Sequence, residues 1–228
     1  MKAIFVAGTD TCAGKTVVTG LLARYLSGRG CRVVTQKWIQ TGCSGFSQDI
    51  DKHLRLMGKK RADFAAHLKS MLPYTFKYPS SPHLACRLER RSIRENIIRR
   101  AFEKLSKHFD FIIIEGSGGL LVPVGGGSLL IDLVRKMRLP VLLVAVNRIG
   151  AVNSALLSIE AMRLRGIRIA GVIFNSVGKN GRALILKDNP AIVKRLSGIG
   201  TYRLPYAQDT DVLYRRFAPI AGKIVKNL

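Results

Sequence analysis

The chain holds 228 residues, with 38 Lys and Arg against 14 Asp and Glu, a formal charge of +24. Apolar residues make up 47% and charged residues 23%, and a chain this long buries enough surface to need no covalent staples. These totals exclude intrinsic disorder, collagen-like fibres and a disulfide scaffold, and they predict one domain over 1–228.

A first strand is expected over residues 2–7; this apolar start is too short for a signal-peptide core. Gly8-Thr9-Asp10-Thr11-Cys12-Ala13-Gly14-Lys15-Thr16 follows and opens a helix over 15–27. A strand, a glycine-bearing turn and a helix N-terminus are what a phosphate-binding loop needs, because backbone N–H groups then converge on an anion. Lys15 would neutralise the β- and γ-phosphates, and the Thr16 hydroxyl would complete a magnesium shell. Five residues separate Gly8 from Gly14, one more than the strict pattern allows.

A second strand over 32–37 ends in Lys37, and the segment Lys37-Trp38-Ile39-Gln40-Thr41-Gly42 follows. Lys37 shares a sheet edge with Lys15, a costly pairing of cations unless a phosphate lies between them. A helix over 50–57 comes next, with Asp49 and Asp51 at its start; either suits the helix dipole and either could hold magnesium. Residues 73–82 are Pro-rich and irregular, and a helix over 92–108 follows. Its apolar positions fall at helical spacing, with Arg94, Arg99, Arg100 and Lys104 between them, as on a solvated face.

The strand over 109–115 ends in Glu115 and runs into Gly116-Ser117-Gly118-Gly119. That carboxylate falls at the carboxyl edge of the sheet, where ligands bind in open α/β folds, and could hold magnesium. Helices over 129–136, 153–165, 190–196 and 212–225 alternate with strands over 141–147 and 168–175. The strands are continuously apolar, as strands buried on both faces are. Strand–helix alternation of this kind predicts a three-layer α/β domain of P-loop type, with a mostly parallel sheet flanked by helices.

The four cysteines form no metal-ligand or CxxC spacing and are expected as reduced thiols in a cytoplasmic protein. The longest apolar run, 139–146, is far below the roughly 20 residues of a membrane helix. No aromatics interleave with the basic clusters, so nucleic acid is not an expected partner despite the charge.

Taken together these residues resemble the dethiobiotin synthetase family. The resemblance rests on the nine-residue loop, on Lys37 with Thr41-Gly42, on Pro79-Ser80-Ser81-Pro82-His83 and on Glu115-Gly116-Ser117-Gly118-Gly119-Leu120-Leu121-Val122-Pro123. Ile149-Gly150-Ala151-Val152-Asn153, Gly171-Val172-Ile173-Phe174-Asn175 and Leu204-Pro205 complete it. It implies a homodimer that converts 7,8-diaminopelargonate, CO2 and ATP to dethiobiotin, ADP and phosphate. By that resemblance Thr11, Cys12, Ala13, Gly14, Lys15, Thr16 and Val17 cradle ATP. Thr16, Asp49 and Glu115 hold magnesium, and Lys15 and Lys37 are catalytic. Thr41 and Gly118 contact substrate, Gly116, Ser117, Gly118 and Gly119 line the site, and Asn175 with Leu204, Pro205 and Tyr206 holds the adenine. Gly150, Ala151 and Asn153 form a carboxylate-binding helix start contributed by the partner subunit.

Three departures stand out: Cys12 sits where many members carry Glu, Trp38 replaces the usual proline, and Asp49 follows Gln48 where Ser-Asp is common, with Asp51 two residues on as a rival and Asp49 preferred by its distance to Gly58. Two other classes share parts of the pattern. One is the cobyrinate-type amidating enzymes, which need a glutaminase for which this chain has no length. The other is the partitioning ATPases, which place a lysine where this chain has Thr9-Asp10-Thr11.

Overall fold

The computed structural model describes residues 1–178 and 183–228. Six strands form one sheet with the order β10-β9-β8-β1-β5-β2, every neighbouring pair parallel. They are β1 (Lys2–Gly8), β2 (Val33–Lys37), β5 (Phe111–Gly119), β8 (Val141–Val146), β9 (Ile169–Asn175) and β10 (Thr201–Leu204). The parallel sheet flanked by helices is the P-loop architecture that the strand–helix alternation predicts.

Alternation along the strands feeds two cores. Phe5 of β1, Ile112 and Ile114 of β5 and Leu143 of β8 point to one face. Ile4 and Val6, Phe111 and Ile113, and Leu142 and Val144 point to the other. Helices α1 (Lys15–Ser27) and α9 (Thr210–Lys226) cover the second face. The first is covered mainly by α5 (Glu95–Ser106), α6 (Leu130–Lys136) and α7 (Ala151–Arg163). Carrying the alternation two residues past Ile113 puts Glu115 on the α1 face, and its register partner on β2 is Lys37. The sheet thus delivers both charges to the loop that opens α1.

Helix boundaries follow local capping. Ser47 accepts from Ile50 N at 3.1 Å and starts α2 (Gln48–Leu56) two residues ahead of the periodic segment. Asp209 accepts from Val212 N at 2.7 Å and starts α9 likewise. Helix α8 (Ala183–Ser197) departs further from the sequence reading, which places a helix over 190–196. Pro190 lies inside it, where a missing N–H orphans the carbonyl four residues back. That carbonyl, Leu186 O, accepts instead from Asn147 Nδ2 at 2.9 Å, and Asn147 Oδ1 accepts from Asn189 Nδ2 at 2.9 Å.

The Pro-rich stretch is also more ordered than its composition implies. Its residues form β4 (Tyr74–Thr75), which pairs in parallel with β3 (Ile39–Gln40), and then enter α4 (Pro82–Leu88). Backbone bonds from Phe76 N to Gln40 O (2.8 Å) and from Cys43 N to Phe76 O (3.0 Å) fasten it beside Thr41. A hairpin of β6 (Pro123–Gly125) and β7 (Ser128–Leu129), a 3-10 helix over Arg61–His67 and the helix α3 (Leu68–Met71) complete the elements. Edge strand β10 escapes the sequence reading because it is only four residues long, two of them are polar and only Leu204 is buried. No helix among the described residues is long and apolar enough to cross a membrane.

Candidate active site

A cavity of about 940 Å³ opens at the carboxyl edge of the sheet. Its floor is the loop between β1 and α1 together with the first turn of α1; Thr11, Cys12 and Gly14 of the loop and Lys15, Thr16 and Val17 of the helix line it. Gly14 is left-handed at φ 98°, and a Cβ there would stand 2.1 Å from Asn175 Nδ2. The position therefore demands glycine on both conformational and steric grounds. Asn175 itself donates to Ala13 O at 3.0 Å and ties the loop to the end of β9. Cys12 also adopts positive φ, at 61°, and is exposed. Lys15 donates to Asp10 O at 2.9 Å, so its ammonium is folded back over the loop.

Behind the loop sits a cluster of opposed charges. Lys37 Nζ lies 2.7 Å from Glu115 Oε1 and 2.8 Å from Asp49 Oδ2, and donates to Gly116 O at 3.2 Å. Thr16 Oγ1 stands 3.1 Å from Asp49 Oδ1 and 3.0 Å from Glu115 Oε1. One hydroxyl proton serves only one carboxylate at a time, so Thr16 can satisfy either Asp49 Oδ1 or Glu115 Oε1 but not both, and Lys37 is the further donor to these two acids. His53 Nε2 contacts the other Glu115 oxygen at 2.7 Å.

Burial alone would push the Glu115 carboxyl upward; the Lys37 charge and the His53 and Lys37 hydrogen bonds overcome it and hold the carboxyl well below its ordinary range. Burial alone would likewise lower Lys37, but Glu115 and Asp49 raise it above the ordinary lysine range. Lys15 goes the other way: burial and then the Lys37 charge lower it, which the nearby carboxylates only partly offset. The two lysines thus share one cavity, but their mutual repulsion is eased by Glu115 and Asp49, where the sequence reading looked to phosphate alone. Both lysines can be seated before any triphosphate arrives.

Of the two candidate acids on α2, Asp49 faces the cavity, whereas Asp51 pairs with Arg61 outside it. Thr41, Ser117, Gly118 and Tyr206 line the cavity as well. Ala13, Gly116 and Pro205 are not among its lining residues; Ala13 is buried, and Gly116 contributes its carbonyl to Lys37. Leu204 is a fully buried core side chain, so any ligand contact there belongs to its backbone. Gly150, Ala151 and Asn153 begin α7 away from this cavity. The sequence reading did not single out His53, Lys52, Gln40, Ser176 or Ala207 as site residues. The one available signal was for His53, four residues after Asp49 and so on the same helix face.

Trp38 does what a proline might have done by other means. It is buried, packs against Phe5 with ring centroids 5.0 Å apart, and donates from Nε1 to Gln36 Oε1 at 3.0 Å. The backbone after Lys37 is thereby held by packing rather than by a ring in the chain.

Among the described residues no group of three or more His, Cys, Asp or Glu side chains is placed to hold a metal. Two carboxylates and a hydroxyl do converge, and such hard oxygen donors fit magnesium.

A glycine-bearing loop between a buried parallel strand and a helix, with its lysine, threonine and facing acid, defines a P-loop enzyme. The family model for an AAA domain matches residues 2–210. ATP-dependent dethiobiotin synthetase BioD of Chlorobaculum tepidum is 44% identical over 206 residues, 90% of this chain and 85% of that protein. BioD 2 of Haemophilus influenzae is 38% identical over 188 residues, 82% of this chain and 98% of that protein. Among solved structures, pNOB8 ParA bound to nonspecific DNA aligns over 99% of this chain and 98% of that one, with TM-score 0.59 and 17% identity. A chain of the MinC:MinD cell division protein complex of Aquifex aeolicus gives TM-score 0.58 at 14% identity over 100% of this chain and 94% of that one, so these two show the fold alone. The chain belongs to the dethiobiotin synthetase family and is an ATP-dependent enzyme of the ligase class.

Proposed function

We propose that the chain, acting as one domain, closes the ureido ring of dethiobiotin from 7,8-diaminopelargonate, CO2 and ATP. The observation that carries this reading is Lys37, buried between Glu115 and Asp49 at the back of the cavity that Lys15 and Thr16 open. One amine nitrogen attacks CO2 and loses a proton, giving a carbamate. A carbamate oxygen then attacks the γ-phosphorus, ADP leaves, and a carbamic–phosphoric anhydride remains. The second amine attacks the carbonyl carbon and expels phosphate as the ring closes.

Lys15 and Lys37 carry the charge that develops on the transferring phosphoryl group. A donor set in place beforehand stabilises that charge without reorganising, and loss of one such donor costs on the order of 10²–10³-fold in turnover. Thr16, Asp49 and Glu115 would hold Mg2+, which neutralises phosphate charge when bound. Thr41 borders the diaminopelargonate end, and Tyr206 with Asn175 the adenine end. Gly150, Ala151 and Asn153 would grip the substrate carboxylate from a partner subunit in a homodimer, as a helix N-terminus favours an anion. The exposed Ile149 just before that helix and Leu157 midway along it support such an interface. Four unpaired thiols suit the reducing cytoplasm.

The test is ADP release with ATP, magnesium, bicarbonate and diaminopelargonate, each omitted in turn. Release that needs all four is the expected result. Release indifferent to diaminopelargonate but raised by DNA would transfer the chain to the partitioning ATPases.

A further inference from the structure

We propose that His53 is the positioning residue of Glu115: it commits one carboxylate oxygen so that the other alone faces the cavity. The proposal rests on the reading of Glu115 as a magnesium ligand and deepens it. His53 is fully buried on α2, one helical turn after Asp49, so a single helix presents both side chains to the end of β5. The helix can come this close because α1 carries Gly20 at the crossing. A Cβ there would stand 2.6 Å from Leu56 Cδ1 and 3.2 Å from the His53 Cα.

The Glu115 carboxylate is paired with Lys37 and offers acceptor oxygens, so the ring donates from Nε2 at 2.7 Å to Oε2. His53 Nδ1 is buried with no partner, so a proton placed there would be unsatisfied, and the Nε2–H tautomer follows. The remaining oxygen, Oε1, takes Lys37 at 2.7 Å and Thr16 at 3.0 Å. Without the imidazole the carboxylate could turn about its last bond and chelate Lys37 with both oxygens, withdrawing Oε1 from the cation. His53 touches no cavity space itself and acts only through Glu115.

The experiment titrates Mn2+ into the protein with ADP and reads free ion by electron paramagnetic resonance, with melting temperature recorded alongside. His53→Leu should weaken Mn2+ binding by about 10–100-fold, the usual effect of losing a partner behind a metal ligand, whereas His53→Gln, whose amide nitrogen can replace Nε2, should stay within about threefold of wild type. Wild-type affinity in a folded His53→Leu protein, or equal loss in both variants, overturns the proposal. Glu115→Gln separates the two readings: if it keeps Mn2+ affinity, the assignment of the acid fails, whatever His53 does. Should His53→Leu not fold, the decision passes to His53→Gln and to ¹⁵N spectra of the wild-type imidazole, where a proton found on Nδ1 overturns the idea.

Discussion

Strands β2 and β5 meet an ion pair at each end. Before β2 begins, Arg32 clamps Asp110 with side chains 68% and 47% exposed; at its far end Lys37 meets Glu115 with 5% and 1% exposed. The outer pair has the richer set of bonds, with Arg32 Nη2 at 2.6 Å from Asp110 Oδ1 and the Arg32 backbone N–H donating to Oδ2 at 3.0 Å. Water still screens it, and exposed pairs of this kind add little to stability. The inner pair sits where water is excluded, and there its charges cannot be removed singly without leaving the partner stranded. Bond count is thus a poor guide to importance here; dielectric surroundings and the neighbouring phosphate loop decide it.

The sharpest way to break the contrast is Lys37→Met. Turnover should fall by about 10²–10³-fold, as for loss of a preorganised donor. Folding stability should drop by about 3–5 kcal/mol, because Glu115 would be left in the interior without its cation. Steady-state kinetics and denaturant titration measure the two, and wild-type turnover would refute the role.

Lys37→Arg asks whether charge alone suffices. A planar guanidinium cannot reproduce three short contacts made by one nitrogen, so turnover should fall at least ~10-fold while the melting temperature stays near wild type. Recovery of full activity would mean that the geometry of the ammonium is unimportant.

Asp110→Asn at the opposite end should leave kinetics untouched and lower the melting temperature only slightly, the more so at low salt. Its pH dependence has a definite sign. The Arg32 hydrogen bonds lower the Asp110 carboxyl from 3.8 to about 2, so the folded state holds the ionised form more tightly. The advantage of wild type over the variant is complete above pH 3.8 and disappears as pH falls through about 2. Thermal melts of both proteins across that window test it; an advantage that grew on acidification would be the wrong sign.

The motifs were readable because each is local. Gly14-Lys15-Thr16 announces its own turn, and the apolar strand ending in Glu115 announces its own edge position. Two kinds of feature were not. The α8 interior around Pro190 reads as a helix start because its compensating donor, Asn147, is 39 residues from the Leu186 carbonyl it serves. His53 reads as an ordinary surface or core histidine because its partner is 62 residues away on another strand.

By itself the order of residues determined the parallel α/β architecture, the phosphate loop and the placing of Lys37 at a strand end, since periodicity, capping and glycine placement act over a few bonds; Glu115, read as a strand end, lies inside β5, which continues to Gly119. Only the tertiary structure paired Asp51 with Arg61 outside the cavity, seated Lys37 between two acids and gave His53 a carboxylate to hold. Those outcomes depend on strand register, on side-chain parity across the sheet and on how closely two helices cross, which are set by packing among segments far apart in the chain.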